Sequence, residues 1–180
     1  VKTRLWKNAD DSIRHALDHF SELQGVDDDR DHHVKWALLS VHHAAECFCT
    51  RLLFEVDPSH PVLPKSASSR FPPLRCVVGV LVALTQKVSL GERRVLELFQ
   101  RLVDTRDQIM HRTLPENLEI SIAAMSLLGL LRIAGRRFGE NAFDSEGRLL
   151  PADVFQAIRS AHLEEYYRIA EQLVCEEYPN

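Results

Sequence analysis

The chain lacks long apolar runs. Its longest unbroken apolar stretch covers residues 76–84, about nine positions, where a helix crossing a bilayer needs roughly 20. A membrane span is therefore excluded. Glycine and proline are sparse, at 7 and 8 of 180 residues, while 45% of the chain is apolar and 27% charged. Collagen-like, low-complexity and wholly disordered chains are excluded by those proportions. Cysteine is scarce as well: Cys47, Cys49, Cys76 and Cys175 form no C-x-x-C pair and lie in apolar or helical-looking stretches. No disulfide scaffold is expected, and a reduced, cytoplasmic setting is. The first residues carry charge with no apolar segment or cleavage site after them, so no secretory leader is expected. Alternating β-branched patterns are almost absent, which removes sheet-rich folds.

What is present is helical periodicity. Ile13, Ala16, Leu17 and Phe20 recur at three- and four-residue spacing, and the pattern predicts a helix over about 9–23. A second helix is expected over about 31–54. Its broad stripe of Val34, Ala37, Leu38, Val41, Ala44, Ala45, Phe48, Leu52 and Leu53 suits the centre of a bundle. Residues 57–73 hold five prolines and read as a loop long enough to suggest a lid or insertion. A short, deeply buried helix is expected over 75–87, a fourth from 91 to before Pro115, and a fifth over 117–137. Residues 141–150 read as a small hairpin, and a last helix is expected from about 151 to 176. The expected fold is an all-α bundle of five or six helices in one domain, residues 1–180.

Net charge is -4, which argues against nonspecific coating of nucleic acid. The charge is uneven, however. Residues 1–58 and 140–180 carry an excess of acid, whereas 59–90 hold Lys65, Arg70, Arg75 and Lys87 and no acid at all.

On the fourth helix the apolar positions Val95, Leu98, Phe99 and Leu102 lead to Arg106, then to Ile109 and Met110. An arginine thus stands where core or interface is due. A guanidinium stays charged there, so it requires an anion, a carbonyl cluster or a partner chain. His111 lies five residues on, about 140° away around a regular helix, so converging the two needs a kink or a second copy. Asp107 is four residues before His111 and on its face, placed to fix the imidazole tautomer.

The string Arg106-Asp107-Gln108-Ile109-Met110-His111 resembles the signature of the HEPN superfamily, an Arg followed by a polar residue and, after a short spacer, a His. Residues 36–46 are similar to the second helix of that superfamily, and the likeness of architecture covers roughly 9–139. The resemblance implies an α-helical homodimer in which two such motifs face each other. In active members it implies a metal-independent endoribonuclease. RNA is then the substrate, Arg106 holds the scissile phosphate and His111 moves a proton. An antitoxin or other regulatory protein is an expected partner, in a toxin or defence system. The chain departs from the branch paired with nucleotidyltransferase antitoxins, because Thr113 stands where that branch carries Tyr. The alternative is a noncatalytic HEPN-like module for protein interaction or for nucleotide or ligand binding.

Arg112, Arg132 and Arg136, with Arg137, are candidates for a phosphate groove, although cations near helix C-termini also serve the helix dipole. Two further groups have metal-ligating spacing: Asp11, His15 and His19 at i, i+4 and i+8, and His42 with Glu46. No Glu-x-x-His pair occurs, the nearest string being the reversed His43-Ala-Ala-Glu46. The expectation is therefore no metal and no cofactor, with solvated helix faces instead. Glu46 is the exception on an apolar helix, and Arg106 is a candidate partner for it.

Overall fold

A computed structural model of the chain describes residues 1–23, 29–66, 69–84, 86–111 and 118–139. They form five helices and no strand: α1 Lys2–Glu22, α2 Arg30–Val56, α3 Leu74–Ala83, α4 Leu90–His111 and α5 Leu118–Phe138. The all-α bundle read from the periodicity is the observed architecture. The expected hairpin at 141–150 and the last helix at 151–176 lie outside the described residues.

α2 is the axis of the bundle and packs against each of the other four helices. The reason is in its sequence: from Val34 to Leu53 its buried positions spread from one face to nearly the whole circumference, as a central helix requires. Phe20, Phe48 and Phe99 are fully buried and join α1, α2 and α4 in one core.

α1 starts seven residues earlier than its periodicity predicts. Leu5 and Ala9 extend its apolar stripe and are fully buried with Cys47, against Phe54 and Phe71. Trp6 packs edge-on to Phe138 at 5.0 Å and tilted to Phe48 at 6.3 Å. α3 is a correction of a different kind. It buries one face, Leu74, Val77, Val78 and Leu81, and exposes Arg75 and Cys76. A continuous apolar run of this length does not distinguish a fully buried helix from a half-covered one.

Described residues of the proline-rich segment are tied to the bundle at two points. Leu63 is buried, Phe71 packs onto the α1–α2 seam with the Arg4 guanidinium 4.9 Å above its ring, and successive turns hydrogen-bond His60 N–H to Asp57 and Leu63 N–H to His60.

α4 opens with a reciprocal cap: Glu92 accepts the Ser89 N–H at 2.7 Å and Ser89 Oγ accepts the Glu92 N–H at 3.3 Å. Glu92 is also clasped by Arg137 at the end of α5, whose Nη2 donates to Oε2 at 2.7 Å and to the Lys87 carbonyl at 2.9 Å. This locks the two antiparallel helices at one end. Midway along them, Gly129 lets α5 approach α4 so closely that a Cβ there would lie 2.8 Å from Cγ1 of Val95.

Candidate functional site

Arg106 lies one turn before the end of α4, on the side turned toward α2. Its stripe neighbours Leu102, Val103 and Ile109 are buried, yet its own side chain is 38% exposed. Nη1 donates to Asp107 Oδ1 at 2.8 Å. The other oxygen of Asp107 accepts from Arg75 of α3 at 3.4 Å, and Arg75 also donates to Asp104 at 2.8 Å. Asp107 therefore has both carboxylate oxygens on guanidinium groups. The Arg106 hydrogen bond, then the charges of Arg106 and Arg75, hold its carboxyl below the usual range against a little desolvation.

Two α2 residues complete the neighbourhood. Burial, then the charge of Arg106, depresses His42 to about 4, with Asp107 pulling weakly the other way. Its imidazole is therefore neutral at physiological pH. Burial pushes the Glu46 carboxyl up and the Arg106 charge pulls it back, so the expected partnership of Arg106 and Glu46 is electrostatic. The direct bond of Arg106 goes to Asp107.

The sequence-predicted residues divide accordingly. Arg106 and Asp107 are together, joined by His42, Glu46 and Arg75. His111 is the last residue of α4, and because that helix runs unbroken from Leu90, positions 106 and 111 stay about 140° apart around its axis. Arg112 lies outside the described residues. Arg132 and Arg136 are exposed on the far end of α5. With Gly129 level with Val95, Arg132 stands about 21 Å and Arg136 about 27 Å along the helix pair from Arg106 at 1.5 Å per residue. Arg137 is committed to Glu92. Arg75 escaped the sequence reading except as part of the acid-free basic stretch, which was its only signal.

Comparison with known families, characterised proteins and solved structures finds no match. The site rests on its own chemistry. It offers a half-exposed guanidinium for an anion, a second guanidinium beside it, and a neutral imidazole next door.

A separate polar line runs along the α1–α2 seam. His33 Nδ1 is 2.9 Å from His19 Nδ1, His19 Nε2 is 3.3 Å from His15 Nε2, and His15 Nδ1 is 2.7 Å from Ser40 Oγ. Ser12 donates to the Asn8 carbonyl at 2.8 Å, so it accepts from His43 Nδ1 at 2.7 Å. An open cleft of about 460 Å³ adjoins this line, with Asp11, His15, Trp36 and His43 in its wall. Among the described residues the spacing triplet Asp11, His15 and His19 does not converge on one point as a ligand set. Cys47, 3.8 Å from His43 Nε2, is a thiol, pushed up to about 12 by burial and by Glu46.

Proposed function

We propose that the chain is a metal-independent endoribonuclease of HEPN type whose working unit is a homodimer with a composite Arg/His site. The observation that carries this reading is Arg106, a half-exposed guanidinium that follows the buried Val95, Leu98, Phe99 and Leu102 on one helix stripe. Its counter-ion is itself exposed, and such surface pairs hold by only about 0–1 kcal/mol. A phosphate therefore displaces Asp107 cheaply, while Arg75 keeps the freed carboxylate occupied.

In the proposed reaction the Arg106 fork binds the non-bridging oxygens of the scissile phosphate and stabilises their developing charge. The ribose 2'-hydroxyl attacks phosphorus and the 5'-oxygen leaves, giving a cyclic phosphate and a free 5'-hydroxyl. His111 takes the 2'-proton or supplies one to the leaving oxygen, since an imidazole can both accept and donate a proton. The 140° between positions 106 and 111 is the reason for two copies: Arg106 of one and His111 of the other supply the two functions at one phosphate.

The pairing of Arg75 and Arg106 with Asp104 and Asp107 leaves the patch nearly neutral. That balance favours a second reading, a noncatalytic helical module that binds a partner or small ligand. Incubation of the protein with RNAs of varied sequence in EDTA separates the two. Cleavage is expected to persist, and Arg106→Ala and His111→Ala are each expected to slow it by about 10² to 10⁴ with helix content unchanged. Asp107→Asn is expected to cost less. Uncut RNA, cleavage that needs added divalent metal, or either alanine variant cutting at the wild-type rate overturns the ribonuclease reading.

A further inference from the structure

Four of the histidines gather where the end of α1 meets the start of α2. Ring centroids are 5.2 Å apart for His19 and His33, 5.5 Å for His32 and His33, and 5.9 Å for His19 and His32. The three rings form a nearly equilateral triangle. A metal ion bound at about 2.1 Å by three imidazole nitrogens in tetrahedral array sits about 3.2 Å from each centroid, which sets those centroids about 5.2 Å apart. The shortest observed side, 5.2 Å, matches that value, and the other two are longer, at 5.5 and 5.9 Å.

As the side chains stand, no three ligands converge on one point among the described residues. Two nitrogens already do. His19 Nδ1 and His33 Nδ1 face each other at 2.9 Å, slightly closer than the roughly 3.3 Å of two ligands on one tetrahedral ion. A cation replaces the proton they share. The third ring, His32, is exposed, so turning its nitrogen inward requires only a side-chain rotation.

The surroundings of the central ligand fit the same role. A ligating histidine commonly donates its other ring N–H to an acceptor that fixes its tautomer. With a metal on Nδ1, the His19 proton sits on Nε2, which faces His15 Nε2 at 3.3 Å; His15 in turn carries its proton on Nδ1, 2.7 Å from Ser40 Oγ. Every proton in that chain has an acceptor. The C-terminal end of the α1 dipole favours a cation here, and the opposed N-terminus of α2 is offset by Asp29 and Asp31.

We infer that His19, His32 and His33 form a site for one borderline divalent cation, of which Zn²⁺ is the expected occupant, with water completing the coordination and His15 acting as the positioning residue behind His19. Imidazole donors with no thiolate suit Zn²⁺, Co²⁺, Ni²⁺ and Cu²⁺ and disfavour Mg²⁺ and Ca²⁺. The site lies on the α1 side of α2, about 13 Å along that helix from His42, and does not depend on the ribonuclease reading.

Titration of the tag-free protein with Co²⁺ tests it by visible absorption, with no RNA present. One equivalent is expected to bind with the bands of a tetrahedral centre and to be displaced by Zn²⁺. His19→Ala, His32→Ala and His33→Ala are each expected to weaken binding by about 100-fold, and His15→Ala by roughly 10-fold at unchanged stoichiometry. His60→Ala, on the distant 57–73 segment, is expected to change nothing. Circular dichroism confirms that each variant is folded, and these positions are exposed or half-exposed. No saturable binding of Co²⁺ or Zn²⁺, or full binding retained in His32→Ala or in the double variant His19→Ala, His33→Ala, overturns the assignment.

Discussion

Arg106 and His42 owe their chemistry to each other. In sequence they lie on separate helices, and neither looks exceptional. Folded, the desolvated imidazole and the permanent charge beside it settle the protonation of His42, which falls from 6.5 to about 4. The unfolded chain therefore binds a proton between pH 6.5 and 4 that the folded chain does not, so stability present in full above pH 6.5 is lost as pH falls toward 4. Discounted for partial exposure, the loss is on the order of 2 kcal/mol. Burial shifts His43 in the same direction and adds to it. Urea unfolding at pH 7 and pH 5 is expected to show a smaller difference in His42→Gln than in the wild-type protein, and an equal difference rules out His42 as the source. Arg106 and Asp107 were legible from spacing alone because the break in an apolar stripe is a one-dimensional signal. Arg75 and His42 were not, since their relation to Arg106 exists only across helix interfaces.

At the scale of elements, α4 and α5 carry the clearest marks. The reading from periodicity opens α4 at Gly91, although the pair Ser89 and Glu92 that caps it is written three residues apart in the sequence. Burial alone would raise the Glu92 carboxyl, but the hydrogen bonds from Arg137 and Ser89 outweigh it and hold the group ionised. Arg137, a groove candidate on charge, is thereby explained as a clasp between helices. Gly129 is the other contact that decides this pair. Alanine there gains up to about 1 kcal/mol in helix propensity, yet its methyl meets both γ-carbons of Val95, at 2.8 and 2.9 Å. Val95 is fully buried and stiff at χ1. Gly129→Ala is expected to destabilise the protein by about 1–3 kcal/mol in denaturant unfolding. Combined with Val95→Ala, it is expected to cost less than the sum of the single changes. Additive costs would place the close approach elsewhere.

For the whole molecule the expected state is a homodimer through the α4 face that bears Arg106. Met110, one turn beyond Arg106 on that face, is 47% exposed, an apolar side chain left uncovered beside a half-covered charge. Light scattering is expected to return twice the mass of the chain, and Met110→Glu to shift it to the monomer. A wild-type protein that remains monomeric removes the composite site. The described helices include none long and apolar enough to cross a membrane.

Periodicity along the chain was enough for the all-α class, four of the five helices to within a few residues, the central place of α2 and the anomaly at Arg106. Each follows from local periodicity, which a chain expresses before it has any tertiary partner. It took the packed helices to show that α1 begins at Lys2, that α3 is half-exposed, that Arg132 and Arg136 stand apart from Arg106, and that His19, His32 and His33 form a triangle. Each of these depends on which face of one helix meets another. The spacing His15, His19 was visible on α1 and the pair His32, His33 on α2, but nothing in either helix says that they converge. Antiparallel packing of α1 on α2 brings the end of one against the start of the other, and their separation in sequence then ceases to matter.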